Sequence, residues 1–305
     1  MSHPRTSNSN GSGFECLAKS VARDVEAMLS DLLPPLEGAR GRLIQAMRHA
    51  CLGGGKRIRP FAVVNTAALF DVPRDVALRT AACIEMVHCY SLVHDDLPSL
   101  DNSDMRRGRP TVHKAFDEPT AVLAGDALLT LPFGLLIDPK THPILAVRAE
   151  LVAALAESAG INGLVGGQMI DTAPERRTLD LAGIAELQSM KTGALIRFSC
   201  GAGAILGQAS KVHRTLIDTY AGEIGLAYQI ADDLLDLDSS DTELGKPVGQ
   251  DASKQKATFV MHLGKKEARS LARAKVNSAI GWLEVFGSRA EPLRQLARFA
   301  VERRH

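Results

Sequence analysis

Apolar residues recur at helical spacing from about Phe14 to Phe299, with short breaks of glycine, proline and aspartate between the runs. No run of alternating apolar and polar residues is long enough to predict a strand. Aromatic residues make up only 4% of the 305 residues, while Ala and Leu recur throughout, which favours helix over strand. The pattern predicts an all-α fold, a single large bundle of about ten helices around one core.

The sequence predicts one globular domain preceded by a short tail. Residues 1–13 are polar and lack the apolar stretch of a signal peptide, so we expect a disordered tail followed by a single domain over residues 14–305. The longest apolar stretch, residues 121–137, contains Asp126 and Pro132 and is not expected to cross a membrane. Turn signals predict a glycine elbow at 53–55, breaks at 71–73, 138–139 and 173–174, and polar loops at 102–119 and 239–254.

Charge and cysteine content exclude several classes of protein. The net charge is +1 and the isoelectric point is near 7.7, so no global field draws the chain to nucleic acid or to an acidic membrane. Any basic binding site must therefore be local. The five cysteines fit no metal-binding spacing such as C-x-x-C, and they predict reduced thiols in the cytoplasm.

Two acidic clusters each follow an apolar helical run. The first consists of Asp95, Asp96 and Asp101, and the second of Asp232, Asp233 and Asp236. Pro98 is expected to break the first helix and let Asp101 fold back towards Asp95, whereas Asp232 and Asp236 share one helical face. Like charges at helix C-termini repel one another and oppose the helix dipole. Carboxylates without cysteine predict Mg²⁺ as the compensating cation; the alternative is two solvated acidic helix ends.

Basic residues occur in short segments that suit anion binding. The segment GGGKRIRP, residues 53–60, places three cations behind a glycine elbow, where backbone N–H groups and guanidinium groups can contact phosphate oxygens. Further cations follow at Arg106, Arg107, Lys191, Lys246 and Lys256. A basic surface turn or local salt bridges would explain each segment alone. Carboxylates that hold metal beside cations that hold phosphate predict a diphosphate site.

These motifs resemble the trans-prenyltransferase family, in particular bacterial farnesyl diphosphate synthases. The resemblance covers about residues 15–300, through GGGKRIRP, EMVHCYSLVHDDLPSLDNSDMRRGRPTVHKAF, AGDALLT, GGQMID, MKTGAL, AYQIADDLLD and LGKPVGQDASKQKAT. It implies an antiparallel helical bundle around a central cavity, of the isoprenoid synthase type. Met105 and Phe259-Val260 depart from the residues usual in the family, which affects only the expected fine positioning of substrate.

The resemblance implies a role for each matching residue. Asp95, Asp101 and Asp232 resemble direct Mg²⁺ ligands, Asp236 belongs to the same metal-binding set, and Asp96 and Asp233 complete the acidic walls as catalytic residues. The pocket for isopentenyl diphosphate would consist of Lys56, Arg59, His88 and Arg107. The pocket for the allylic diphosphate would consist of Arg106, Lys191, Thr192, Gln229, Lys246 and Lys256. Tyr90 and Ser91, which precede the first acidic cluster, are expected to set the product length.

The implied reaction is a head-to-tail condensation of isopentenyl diphosphate with dimethylallyl and geranyl diphosphates. It proceeds by Mg²⁺-assisted ionisation, condensation and elimination, with about three ions per active site, partly brought by the allylic diphosphate. Dipoles of Lys191, Thr192 and Gln229 would stabilise the allylic carbocation. We expect farnesyl diphosphate as the product, with geranylgeranyl diphosphate as the alternative. The implied partners are small isoprenoid diphosphates and a second copy of the chain in a homodimer, with no nucleic acid and no membrane.

Three other interpretations stay open at this point. A terpene cyclase would share the first aspartate motif, but its second motif would carry Asn or Asp, Ser or Thr, and Glu in place of DDLLD. A di-iron carboxylate bundle would use Glu-x-x-His pairs such as Glu85/His88 and Glu302/His305. A non-catalytic subunit of a heteromeric synthase would be expected to lack one aspartate cluster, whereas this chain has both.

Overall fold

The computed structural model describes residues 9–173, 178–238 and 258–303, which are almost entirely helical. The helices in the first half are α1 (Ser9–Leu32), α2 (Gly41–Cys51), α3 (Ile58–Leu69), α4 (Arg74–Asp95), α5 (Val112–Ala115), α6 (Glu118–Ile137) and α7 (Leu145–Ala159). Those that follow are α8 (Leu164–Thr172), α9 (Leu181–Gln188), α10 (Ala194–Leu206), α11 (Lys211–Asp238), α12 (Phe259–Leu263), α13 (Lys265–Trp282) and α14 (Glu291–Glu302). Short 3₁₀ turns cover Gly38–Arg40 and Glu284–Ala290, and a π-turn covers Ser189–Gly193. The prediction of an all-α bundle is confirmed.

The predicted polar loop at 102–119 is more ordered than the sequence suggested. It contains an antiparallel pair of two-residue strands, β1 (Met105–Arg106) and β2 (Arg109–Pro110), followed by α5 and the start of α6. The two linking residues, Arg107 and Gly108, both have positive φ (52° and 73°), as type I′ hairpin turns require. Strands of two residues are too short to show alternation, so this pair left no periodic signal in the sequence.

Helix α4 is the central helix of the bundle. It is buried along most of its length, including Ala81, Ile84 and Met86, and it packs against α3 and α6. Apolar residues around the whole circumference of a helix are typical of such a core position. The other large contacts join α10 to α3 and α11 to α13.

Aromatic side chains lock the first and last helices onto the core. The ring of Phe14 lies 5.3 Å from that of Phe61 and 4.6 Å from that of Phe299, so α1, α3 and α14 meet at one point. The buried hydroxyl of Tyr220 on α11 donates to the carbonyl of Leu293 on α14 at 2.7 Å. These contacts fix α14 beside α11, which matters for the second acidic cluster.

The boundaries of the domain are not tested by these contacts. Helix α1 begins at Ser9, inside the stretch assigned to a tail, and the division into a tail of 1–13 and a domain of 14–305 stays a prediction. The predicted loop at 239–254 lies outside the described residues.

Two described helices, α4 and α6, are long and apolar enough to cross a membrane by length and composition alone. In α4, 72% of the most apolar window is buried inside the protein, which identifies it as a core helix. In α6 the buried share is 39%, so this helix leaves an apolar face uncovered.

Candidate active site

The glycine elbow after α2 directs the three cations of GGGKRIRP to different places. Arg57 has a left-handed backbone (φ 48°) and turns inward, where its buried guanidinium pairs with Glu85 on α4 and donates to the carbonyl of Cys51 at 2.5 Å. Gly55 (φ 120°) lies against the side chain of Arg107, so closely that a Cβ would stand 2.6 Å from Cζ. Arg57 therefore anchors the loop, and only Lys56 and Arg59 of this segment are left to contact a ligand.

The residues predicted to bind isopentenyl diphosphate share one basic region. Burial and the neighbouring cations Arg59 and Arg107 lower the pKa of His88 well below its usual value, so the imidazole is neutral at neutral pH. Burial also lowers the pKa of Arg59, whose Nε is buried and has no hydrogen-bond partner among the described residues. Arg107 donates to the carbonyl of Gly54 at 2.5 Å. The positive charge of this region thus comes from arginine and lysine and not from His88.

Lys56 lies at the edge of this basic region, beside the second acidic cluster. Its ammonium stands 5.6 Å from the centroid of the Phe299 ring. Burial and then Arg303 lower the pKa of Lys56, and Asp232 acts in the opposite direction. The same carboxylate also acts on Arg59. The basic loop and the second acidic cluster therefore face each other.

The first acidic cluster lies where α4 ends at Asp95. The N–H of Asp101 donates to the carbonyl of Asp95 at 2.9 Å, which is the predicted fold-back around Pro98. The buried carboxylate of Asp96 accepts from Arg106 Nε and Nη2 at 2.7–3.0 Å. Asp96 and Arg106 therefore form a direct ion pair, and the role of Arg106 in binding the allylic diphosphate stays a prediction.

Asp95 has a different environment from Asp96. Burial raises the pKa of the Asp95 carboxyl; Lys191 and Arg106 lower it, while Asp101 and Asp171 raise it further. Carboxylates from the end of α4, from the loop after it and from α8 therefore converge around Asp95, where Lys191 and Arg106 are the opposing cations among the described residues. This excess of negative charge would be relieved by a bound cation.

Lys191 and Thr192 lie on the π-turn between α9 and α10. Its wider spacing interrupts the regular helical ladder, a feature that recurs at functional sites. Lys191 Nζ donates to the carboxylate of Asp171 on α8 at 2.6 Å. Helix α8 approaches so closely that a Cβ on Gly167 would stand 2.7 Å from Lys191 Cα. The position of Lys191 is thus set by α8 on one side and by α10 on the other.

The second acidic cluster is held by a chain of hydrogen bonds. Thr192 Oγ1 donates to Gln229 Oε1 at 3.1 Å, and Gln229 Nε2 donates to Asp233 Oδ1 at 3.2 Å. The other oxygen of Asp233 accepts from the N–H of Phe259 at 3.1 Å, which brings α12 onto α11. The structure therefore joins the predicted catalytic residues Thr192, Gln229 and Asp233 in one network.

Asp232 and Asp236 complete this cluster on the same face of α11. Asp232 Oδ1 accepts from Arg303 Nη2 at 2.7 Å. Oδ2 of Asp236 is buried and has no hydrogen-bond partner among the described residues. A buried carboxylate oxygen without a donor costs free energy, so this atom favours a bound cation or water.

The carboxylates fit Mg²⁺ better than any ion that needs a complete protein cage. Among the described residues, no group of three or more His, Cys, Asp or Glu side chains is arranged to hold a metal ion by itself. Mg²⁺ is usually bound by one or two carboxylates together with water and substrate phosphates. The partnerless oxygen of Asp236 and the crowded acids around Asp95 are the chemistry that such an ion requires.

Tyr90 lies on α4 five residues before Asp95. It is buried, its ring stands 5.6 Å from that of His94 at 89°, and His94 Nε2 lies 3.0 Å from the carbonyl of Val122 on α6. Ser91 Oγ donates to the carbonyl of His88 at 2.9 Å. Tyr90 thus packs against His94, which contacts α6, whereas Ser91 forms its hydrogen bond within α4.

Three partners of the site were not predicted. Glu85 was considered only as an iron ligand, but its pairing with Arg57 leaves no role for it in a Glu-x-x-His site. Asp171 could have been found because it lies four residues after Gly167 in GGQMID, on the same helical face. No sequence signal marks Arg303, whose partner Asp232 is 71 residues away.

Lys246, Lys256 and His305 lie outside the described residues.

The chain belongs to the polyprenyl synthetase family, whose family model matches residues 41–287. It is 44% identical to the farnesyl diphosphate synthase of Geobacillus stearothermophilus over 77% of this chain and 79% of that protein. It is 39% identical to the farnesyl diphosphate synthase of Escherichia coli (strain K12) over 86% of this chain and 88% of that protein. The structure of an apo FPP/GFPP synthase from Zymomonas mobilis superposes with a TM-score of 0.85 at 47% identity, covering 95% of this chain and 99% of that one. The predicted family and fold are confirmed.

Proposed function

We propose that the chain is a prenyltransferase that condenses isopentenyl diphosphate with dimethylallyl and geranyl diphosphates to make farnesyl diphosphate. The observation that carries this proposal is the arrangement of two acidic clusters around one basic region, with Asp232 acting on both Lys56 and Arg59. Its similarity to proteins named farnesyl diphosphate synthase, at 36–44% identity, favours this product over geranylgeranyl diphosphate. The motif DDLLD and the loop GGGKRIRP, which offers cations for a second diphosphate, disfavour a terpene cyclase.

Mg²⁺ would be held by Asp95 and Asp101 on one side and by Asp232 and Asp236 on the other. When bound, it acts as a Lewis acid that lowers the negative charge on the departing diphosphate. Lys191 lies beside Asp95 and adds a cation to the same end of the allylic substrate. The resemblance implies about three such ions per active site.

The chain's own residues stabilise the allylic carbocation. Because Thr192 Oγ1 gives its hydrogen to Gln229, its lone pairs are directed away from that bond and can face a positive charge. Gln229 is in turn oriented by Asp233, which α12 holds through the N–H of Phe259. Dipoles fixed in advance need no reorganisation as the cation forms.

The metal-free diphosphate of isopentenyl diphosphate binds to Lys56, Arg59 and Arg107. His88 is neutral at neutral pH and contributes a hydrogen bond and not a charge. After the new carbon–carbon bond forms, the released diphosphate takes the proton from the condensation product. No protein nucleophile is needed for any of these steps.

Product analysis tests the proposal. Purified protein is incubated with Mg²⁺, isopentenyl diphosphate and dimethylallyl diphosphate, and the dephosphorylated products are sized by chromatography. A C15 alcohol as the main product is expected. A C20 alcohol would replace farnesyl with geranylgeranyl diphosphate as the product, a cyclised hydrocarbon would indicate a terpene cyclase, and no product at all would contradict the proposal.

A second copy of the chain is proposed to cover the exposed face of α6. Val122 and Leu123 are 41% and 56% exposed, and Leu145 at the start of α7 is 61% exposed. Asp126 and Thr130 lie on the same face of α6 as Val122. Placing the Asp126 carboxylate at the centre of a bilayer would cost about 3 kcal/mol, which disfavours a membrane as the partner of this face. Light scattering is expected to give the mass of a dimer, and Leu123→Arg to give a monomer. An unchanged dimer in that variant would place the interface elsewhere.

The cytoplasm is proposed as the site of action. All five cysteines are free thiols, and four of them are buried. Thiols that stay unpaired are typical of a reducing compartment. The expected result is that a fusion to a fluorescent protein is distributed through the cytoplasm of the producing cell, and recovery with the membrane fraction would contradict it.

A further inference from the structure

Arg303, the residue after α14, has its guanidinium at the second acidic cluster. The guanidinium carbon stands 3.4 Å from the centroid of the Tyr228 ring, and Nη2 donates to the carbonyl of Tyr228 at 2.8 Å and to Asp232 Oδ1 at 2.7 Å. The side chain is only 4% exposed. Tyr228 and Asp232 are four residues apart on one face of α11, so together they form a binding site for one cation.

This position conflicts with a metal ion at Asp232. A guanidinium and Mg²⁺ on the same carboxylate would stand a few ångströms apart, and two positive charges at such a distance repel strongly in a partly buried site. The ion pair with Arg303 already offsets part of the negative charge that a metal ion at Asp232 would neutralise. The two cations therefore compete for Asp232.

The hydrogen bonding of Arg303 is incomplete in the present arrangement. Its Nε is buried and has no partner among the described residues, and the same holds for Nε of Arg59. Tyr228 and Asp232 act on Arg59 as well, and Arg303 lowers the pKa of Lys56. Three cations thus surround Tyr228 and Phe299, and two of them carry buried N–H groups that have no acceptor in the described part of the chain.

We propose that Arg303 is an exchangeable counter-ion that links the second acidic cluster to the basic region of Lys56 and Arg59. In the substrate-free protein it neutralises Asp232. When the metal ion arrives with the allylic diphosphate, the guanidinium leaves Asp232 and joins Lys56 and Arg59 in binding the second diphosphate. Arg303 is a positioning residue in the first state and a substrate-binding residue in the second. This inference rests on the proposed function.

The competition has two consequences for binding. The substrate-free protein binds divalent metal weakly at the second acidic cluster because Arg303 occupies it. Once the metal is bound, the released guanidinium raises the affinity for isopentenyl diphosphate, so the allylic substrate prepares the site for the second one. By thermodynamic linkage, a variant without Arg303 gains metal affinity and loses this coupling.

Metal binding to the substrate-free protein tests the competition without any turnover. Mn²⁺ is titrated into the wild type, Arg303→Gln and Arg303→Lys, and free Mn²⁺ is measured by electron paramagnetic resonance. Arg303→Gln is expected to bind Mn²⁺ about tenfold more tightly, because a charge-assisted hydrogen bond to Asp232 no longer has to be broken. Arg303→Lys keeps the charge and is expected to bind as weakly as the wild type. Equal binding in wild type and Arg303→Gln would overturn the proposal.

Arg298→Gln is the matched control. Arg298 lies on α14, the helix that Arg303 follows, and pairs with Glu291 at 2.9 Å, so this variant removes the same charge without removing a contact to Asp232. Its Mn²⁺ affinity is expected to equal that of the wild type. A gain like that of Arg303→Gln would show a general charge effect and would also overturn the proposal.

Steady-state kinetics test the second half of the exchange. Arg303→Gln is expected to raise the KM for isopentenyl diphosphate about tenfold and to leave the KM for the allylic substrate nearly unchanged. An increase confined to the allylic KM would contradict the transfer to the second diphosphate. If the wild type forms no prenyl product, the proposed function itself fails. Normal wild-type product formation with unchanged Mn²⁺ binding in Arg303→Gln overturns only the role of Arg303.

Discussion

The two acidic clusters have similar sequences, DDLPSLD and DDLLD, but their carboxylates pair with different residues. In the first, the cation on Asp96 is Arg106, only ten residues further along the chain and carried by the adjacent hairpin. In the second, Asp232 pairs with Arg303, which lies 71 residues away and just after the end of α14. Asp233 is fixed by neutral donors from Gln229 and Phe259.

This difference separates a cluster that is organised locally from one that depends on tertiary contacts. The first cluster can form as soon as α4 ends and the hairpin folds back. The second requires α11, α12 and the end of α14 to come together. We therefore expect the first cluster to be stable in the absence of ligand and the second to change its partners during the reaction.

The largest expected effect is the loss of a direct metal ligand, which tests whether both clusters are needed. Asp95→Ala and Asp232→Ala should each lower kcat by about three orders of magnitude, because several kcal/mol of charge stabilisation are lost as the diphosphate departs. Circular dichroism should show an unchanged helix content. Asp218→Ala, on the exposed side of α11, is the control and should keep normal activity. Near-normal turnover of either variant would show that the cluster it belongs to does not bind the catalytic metal.

The next effect tests which cluster faces the metal-free diphosphate. Lys56→Ala and Arg59→Ala should raise the KM for isopentenyl diphosphate by about tenfold or more, and the KM for the allylic substrate much less, since side-chain cations alone hold the second diphosphate. Initial rates at varied concentrations of each substrate provide the measurement. Lys19→Ala removes a lysine that is 79% exposed and should change neither constant. Equal changes in both constants would contradict the division into two pockets.

The clusters also differ five residues before their first aspartate, where α4 has Tyr90 and α11 has the buried Ala227. Five residues correspond to about 7.5 Å along a helix, so the tyrosine can block a growing prenyl tail on the side of the first cluster. Tyr90→Ala should shift the product from C15 towards C20 and lower the free energy of unfolding by about 3 kcal/mol.

Chromatography of the dephosphorylated products and denaturant titration measure the two effects of Tyr90→Ala separately. Ser91→Ala is a useful companion, because Ser91 bonds to its own helix and its change removes almost no volume. That variant should still stop at C15. A C15 product from Tyr90→Ala would show that the tyrosine does not limit the chain length.

The smallest expected effect is on the stability of the metal-free protein, where the two clusters should again differ. Burial raises the pKa of Asp95 in the folded protein, so its contribution to stability is full below the unfolded value near 3.9 and is lost as the pH rises through the folded pKa. At pH 7 the charge on Asp95 is therefore unfavourable, and Asp95→Asn should raise the free energy of unfolding by about 1 kcal/mol.

Asp233→Ala should have the opposite sign, because it leaves the donors of Gln229 and Phe259 without an acceptor at a cost of about 2 kcal/mol. Urea titrations of both variants at pH 7 and at pH 4, with a chelator present, measure the difference. The gain from Asp95→Asn should disappear at the lower pH. A loss of stability in Asp95→Asn at pH 7 would show that its charge is already compensated in the folded protein.

The fold was predictable where the sequence signal is local. Helical periodicity, proline and the glycine elbow predicted the all-α bundle, the break after α2 and the fold-back of Asp101. The hairpin at 105–110 was not predicted, because its strands have two residues each and its turn has an arginine in a left-handed conformation. That conformation is decided by packing of Arg107 against Gly55 and not by the residue's own preference.

The candidate site was predictable as a set of residues but not as a set of partners. The motifs identify the carboxylates and cations, and the structure adds that Arg57 is neutralised by Glu85 and that Lys191 is held by Asp171. Sequence spacing cannot supply such pairs, since each joins residues 20 or more positions apart. Arg303 is the extreme case, because only the packing of α14 on α11 brings it to Asp232.

The π-turn at Ser189–Gly193 makes the site unusually sensitive to chain length. One residue of an α-helix corresponds to a rotation of about 100°, so deleting a single residue here would let α9 and α10 merge into one regular helix. Everything before the deletion would then turn by that angle relative to α10. Lys191 would lose its alignment with Asp171, and Thr192 with Gln229. Insertions and deletions should therefore be tolerated less within these five residues than in surface loops away from the site.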